Sequence, residues 1–304
     1  MDRIIRFSNG DKMSIEQQWV SQTSELFSLP EAYLQLKQLI DDTDSSMQQF
    51  AAIISSDPAL TINILHMVNS AYFNLGHKIG TVSLALNMLG TQQVHDLALA
   101  TSVTSAFDKI PEEVTNMTQF WHKSIHCGVL AQLLARRCNV LDSERLFIAG
   151  LLHDIGHLIM YQNIPEKMNL ALQLSKQKGI PLHLVEQKLV NSDYAKVGSE
   201  LMQVWGLPKS IIITTQCQLM PTKTTEYKLQ SAIIHIAATI ANASANPGQE
   251  NLQFTEADLF IDPVIWQITG LSPESIEPIY KEVDEQLALA ISILFPRARA
   301  SVSQ

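Results

Sequence analysis

Apolar residues recur with a helical period through almost the whole chain, and alternating period-two runs bounded by turn residues are scarce. A chain patterned this way has few strands to pair, so the expected fold class is all-α. Punctuation agrees with the period. Asp57-Pro58 sets an N-cap before a first-turn proline, followed by Leu60, Ile62, Ile64, Leu65 and Val68. Leu89-Gly90-Thr91 reads as a stop and a restart, Gly206-Leu207-Pro208 ends one helix and opens another, and Ser272-Pro273 does the same.

After a polar N-terminal extension (1–14), the pattern predicts helices near 15–27, 30–42, 46–55, 58–71, 81–89 and 91–107. A linker at 109–116, containing Ile110-Pro111-Glu112-Glu113, separates them from a second series. That series runs near 117–138, 143–161, 163–178, 182–190, 193–205, 208–217 and 225–244. The polar loop Asn246-Pro247-Gly248-Gln249-Glu250 precedes helices near 255–268 and 273–294. The expected architecture is a two-lobed helical bundle: one lobe over 15–108, a second over 117–245, and C-terminal helices (246–304) packed on both.

Composition narrows the function classes. Of 304 residues, 46% are hydrophobic, enough for a large core without disulfides, while only 17% are charged, which suits multiply packed helices or a surface kept for a partner. A net charge of -9 argues against nucleic acid as a main partner, and against reading helices 81–107 as a DNA-binding helix-turn-helix. Cys127, Cys138 and Cys217 lack any paired spacing, which fits buried thiols in a reducing compartment. The start of the chain does not read as a secretory signal, and no run approaches the roughly 20 apolar residues of a membrane span. A cytoplasmic protein with no membrane partner is expected.

Chemistry concentrates in Ala149-Gly150-Leu151-Leu152-His153-Asp154-Ile155-Gly156-His157. A histidine and an aspartate inside an apolar run are costly to bury unless paired or bound to a cation. An imidazole beside a carboxylate can hold a divalent ion that activates water against a phosphate ester. Elsewhere there is no Gly-x-Ser-x-Gly elbow and no Gly-rich phosphate loop. Asp57 reads as an N-cap, Asn69-Ser70-Ala71-Tyr72 as a capped helix end, Trp121 and Trp205 as packing residues, and Met88, Met160, Met168 and Met202 as gap-fillers. His66, His77, His95, His183 and His235 show no convergent spacing.

The His153-Asp154 segment resembles the HD superfamily of phosphohydrolases, named for that pair. Further residues narrow the likeness to the HDOD family, the HD-related output domains of bacterial signalling proteins. Leu29-Pro30, Ile53-Ile54-x-x-Asp57-Pro58-Ala59-Leu60, Asn69-Ser70-Ala71-Tyr72, Ile79, Ala85 and Leu89-Gly90 look like its N-terminal signature. Phe120-Trp121-x-x-Ser124, Gly150 to Gly156, Val197-Gly198-x-x-Leu201 and Trp205-Gly206-Leu207-Pro208 look like its second half. The likeness spans roughly residues 20–240 and implies an HDOD-specific helical lobe followed by an HD-like one.

The resemblance also supplies a metal-ligand pattern to compare position by position. Lys123 stands where the first histidine is wanted, and the adjacent His122 is turned about 100° around the helix. Tyr194 stands at the next histidine, Gln218-Leu219 at a His-His pair, and Ala238 at the closing aspartate. Only His153 and Asp154 of the set remain, so the expected remnant cleft comprises Lys123, His153, Asp154, His157, Tyr194 and Gln218, with Asp154 paired to Lys123. A minority alternative is a divalent metal on His126, His153, Asp154 and His157, since His153 and His157 stand four apart. The Gly-Tyr-Pro triplet of cyclic-dinucleotide phosphodiesterases is missing. What the resemblance implies is a non-catalytic signal-transduction module, with no cofactor, that binds a protein partner or a nucleotide-like ligand. The runner-up is a metal-dependent phosphohydrolase of nucleotides or phosphoesters, with His153 and Asp154 as ligands and Lys123 or His157 near the phosphate.

Overall fold

A computed structural model of the chain describes residues 13–23, 27–69, 78–107, 110, 115–244 and 261–294. These residues form fifteen α-helices and two short 3-10 turns, with no strand among them. The all-α expectation is met. Residues 1–12, Ser70-Ala71-Tyr72, His77, most of the 109–116 linker and the 246–250 loop lie outside the described residues; Ile110, within that linker, is buried.

The first helices are α1 (Ile15–Thr23), α2 (Glu31–Asp41), α3 (Met47–Ser56), α4 (Pro58–Val68) and α5 (Val82–Ala106). Their starts follow capping chemistry. Ser46 and Gln49 form a reciprocal capping box on α3, and the Asp57 carboxylate accepts from the Leu60 N–H at 3.0 Å to open α4. Asp57→Ala should therefore cost about 1 kcal/mol of stability, read as a shifted urea midpoint at unchanged m-value. Gly90 interrupts α5 at φ 82°, where the sequence predicts two helices. Beyond it, every residue from Val94 to Thr104 is buried, against α2, α3 and α4 among others.

The second series comprises α6 (Met117–Arg137), α7 (Ser143–Leu152), α8 (Ile155–Asn163), α9 (Pro165–Lys178), α10 (Leu182–Val190), α11 (Tyr194–Val204), α12 (Lys209–Gln216) and α13 (Lys228–Ser244). Two helices follow, α14 (Pro263–Thr269) and α15 (Ile276–Leu294). α6 is the axle, packed by α7, α13 and α15. α15 also reaches α4 and α5, and Arg137 pairs with Glu282 across its crossing with α6.

Residues of α1, together with Phe27, pack on the second series. α1 lies on α8 and α11. Asn163 Nδ2 donates to the Trp19 carbonyl at 3.4 Å, Ser192 Oγ to Glu16 at 2.6 Å, and Trp205 Nε1 to the Phe27 carbonyl at 3.0 Å. The junction is aromatic: Phe107 stacks on Phe27 with centroids 4.5 Å apart and meets Trp121 and Trp205 edge-on. Among the described residues no single helix is long and apolar enough to cross a membrane; α3 and α4 reach that only as a pair bent by 115°.

Candidate functional site

The sequence predicts one helix over 143–161, and the structure breaks it at the His-Asp pair. α7 ends at Leu152 and α8 begins at Ile155, with Asp154 at φ -108°, ψ 2° between them. Two glycines explain how the break is held. A Cβ on Gly150 would sit 2.7 Å from Gly128 Cα on α6, and one on Gly156 would sit 2.0 Å from the Tyr194 carbonyl oxygen on α11. Only bare backbone at both positions lets α7 and α8 close on α6 and α11, which clamps His153 and Asp154 between them.

Within that clamp the polar groups form a chain. Lys123 Nζ, projecting from α6, lies 2.5 Å from Asp154 Oδ2. Asp154 Oδ1 accepts from His157 Nδ1 at 2.5 Å, and His157 Nε2 donates to Glu186 Oε1 at 2.7 Å. Glu186 Oε2 accepts the Tyr194 N–H at 3.1 Å. Flanked by two carboxylates, both imidazole nitrogens act as donors, so His157 is an imidazolium. Burial opposes that charge, but Asp154 and Glu186 outweigh it and raise the group to about 9. Burial likewise opposes the Asp154 carboxylate, and Lys123 followed by His157 pulls it well below the usual range. Two cations and two anions leave the chain self-neutral although the Glu186 side chain is 0% exposed.

His153 has a different state. Its Nδ1 donates to the Gly150 carbonyl at 2.7 Å, and burial lowers its pKa to about 4, so the ring is neutral with Nε2 as an acceptor. That Nε2 is buried without a partner. Gln218 Nε2 donates to the His153 carbonyl at 2.7 Å and holds the turn from α12's far end. The Tyr194 ring stacks on His157, centroids 4.3 Å apart, and Tyr161 covers the same imidazole at 5.7 Å.

All six residues of the expected remnant cleft thus meet: Lys123, His153, Asp154, His157, Tyr194 and Gln218. The His126 ring stands edge-on to Tyr280 of α15 at 6.0 Å, and its Nε2 is buried without a hydrogen-bond partner among the described residues. Because α7 and α8 are separate, His153 and His157 do not share one helix face. Among the described residues, no group of three or more His, Cys, Asp or Glu side chains is arranged to hold a metal ion. Glu186, which completes the charge chain, was missed by the sequence reading. A signal existed: Glu186 shares the inward stripe of α10 with Val190, four residues on.

Comparison with known proteins follows the same lines. The family model of the HDOD domain matches residues 26–221. A curated relative, an uncharacterised protein of Treponema pallidum (strain Nichols), is 26% identical over 205 residues, 66% of this chain; the chain spans only 39% of that relative's length. Among solved structures, a candidate phosphohydrolase of Shewanella amazonensis SB2B superposes with TM-score 0.70 at 25% identity, covering 91% of this chain and 97% of that one. An HDOD domain protein of unknown function from Geobacter sulfurreducens gives 0.67 at 21%, covering 92% and 97%. With its signature matched over most of its length and its helices laid out as in these structures, the chain belongs to the HDOD family.

Proposed function

We propose that this HDOD chain is a non-hydrolytic signalling module whose remnant cleft is sealed by its own cation. One observation carries the reading: the Lys123 ammonium lies 2.5 Å from Asp154 Oδ2, where a metal ligand's partner would stand. The other Asp154 oxygen is taken by a charged His157. A hydrolytic ion needs several anionic or imidazole donors, and tyrosine and glutamine supply neither at positions 194 and 218. The residues present do not fit a divalent centre. Signal passage then falls to binding: a protein partner docks on the helical surface, with a nucleotide-like ligand at the cleft as the second mode. The three cysteines are unpaired, which suits a reducing compartment and a cytoplasmic module.

The runner-up, a metal-dependent phosphohydrolase, draws on His153 Nε2, a buried lone pair without a partner. One assay separates the two. Purified protein is incubated with bis-p-nitrophenyl phosphate and Mn²⁺ or Mg²⁺, beside His153→Ala. The expected result is no turnover above background in either protein. Turnover by the wild type that collapses in His153→Ala would establish hydrolysis and end the signalling-only reading.

A further inference from the structure

A cavity of about 460 Å³ is lined by none of the six cleft residues. That volume lies in the range of small-molecule sites. Its walls come from four places: the turn after α6 and the first turns of α7, α12 and α13. Asp142 and Arg145 mark the start of α7, Ser210 the start of α12, and Leu229 and Gln230 the start of α13. Each helix start carries a partial positive charge, although the Arg145 and Ile211 N–H groups are already bonded to the Asp142 and Pro208 carbonyls. Neither α7 nor α12 has a side-chain cap at its start.

Side chains add to this field. Among the described residues the ion pair recorded for Arg145 is with Asp142, at 3.7 Å, and that carboxylate is 70% exposed. Thr214, one turn after Ser210 on α12, is 2% exposed, lines the cavity and makes no side-chain hydrogen bond among the described residues. Ser210 Oγ is buried without a partner on the same helix face. A hydroxyl on the cavity wall with no partner, as at Thr214, is a donor that a ligand oxygen would satisfy. Apolar wall is supplied by Val140, Leu146, Ile211 and Leu229, with Asn139 and Tyr227 also in the lining.

We propose that this cavity binds a small organic phosphate, its anion held by Arg145, Thr214 and the converging helix starts, its organic body against the apolar walls. Three convergent helix N-termini with an arginine and hydroxyls are the donor set of a phosphate site. The site is independent of the cleft and of whether that cleft hydrolyses anything.

The test is calorimetric titration of the full chain with phenyl phosphate, inorganic phosphate and phenol. Phenyl phosphate should saturate one site, inorganic phosphate should bind more weakly, and phenol should give no heat. Arg145→Ala should weaken phenyl phosphate by about tenfold or more, since it removes a charge-assisted contact, and Thr214→Val by a smaller factor. Arg145 is partly exposed, so its variant keeps the fold, checked by circular dichroism, and decides the outcome if Thr214→Val does not fold. Absence of saturation at millimolar phenyl phosphate overturns the proposal, as does unchanged affinity in Arg145→Ala. Equal affinity for inorganic phosphate overturns the organic part of the assignment.

Discussion

Gly156→Ala is expected to be among the most destabilising single substitutions in this chain, with a sharply lowered denaturant midpoint. The new methyl carbon would lie 2.0 Å from the Tyr194 carbonyl oxygen and 2.6 Å from the Gly198 backbone nitrogen, and neither is a side chain that can swing away. Gly198 faces back, with Gly156 N 3.2 Å from where its own Cβ would be. α8 and α11 thus cross glycine on glycine, and relief requires moving a whole helix. Overpacking a core typically costs about 1–3 kcal/mol, and backbone against backbone sits at or beyond the top of that range. A loss of about 3 kcal/mol is roughly a fifth to three-fifths of an ordinary domain's stability. The separation would also pull Tyr194 off His157 and its N–H off Glu186. Gly80→Ala is the control: nothing lies within 4 Å of its Cβ position, and its stability should stay within about 0.5 kcal/mol of the parent. Denaturant midpoints for the pair measure the difference. A Gly156→Ala protein as stable as Gly80→Ala would mean that the helix crossing is looser than described.

How much of this could be read from the sequence follows from the range of each interaction. Helix starts at Asp57 and Ser46 are local: side chain and N–H are three residues apart, so the pattern shows both. The restart at Gly90 is equally local, a backbone conformation that glycine adopts readily. The His-Asp pair stood out because it interrupts an apolar run, and the break it causes did not, since periodicity continues straight through Leu152 and Ile155. Lys123 and Asp154 come together across α6 and the α7–α8 turn, and that pairing could be anticipated only by laying the chain on a family pattern. Glu186 shows the limit. It reaches His157 from 29 residues away, and nothing in its neighbours marks it as a partner except its place on the inward stripe of α10. The docking of α1 onto α8 and α11 was out of reach for the same reason: an amphipathic helix declares that it packs, not against what. Gly128, Gly156 and Gly198 look like ordinary helix interruptions until the partner backbone is in place.

Stability should peak near pH 6.5, and the two sides of the peak have different owners. His157 has a folded pKa raised from 6.5 to about 9, so the folded state holds a proton that the unfolded chain has released across that window. Its contribution is complete below 6.5 and is lost as pH climbs through about 9, at up to roughly 1.4 kcal/mol per pH unit. His153 and His126 are held the other way, lowered by burial to about 4. Between 6.5 and 4 the unfolded chain takes up protons there that the folded protein refuses, so stability falls as pH falls, about twice as steeply with two groups titrating. His122, His183 and His235 are lowered too, and steepen that side further. Urea midpoints measured from pH 5 to 8.5 trace both slopes. His157→Gln should cost roughly 3 kcal/mol at pH 7, because Asp154 and Glu186 lose the cation between them, and it should flatten the alkaline side. His126→Phe should leave the alkaline side alone and make the acid side shallower by about one proton. If wild-type stability held level or rose from pH 7 to 8.5, His157 would not be charged in the fold, and the self-neutral chain from Lys123 to Glu186 would have to be abandoned.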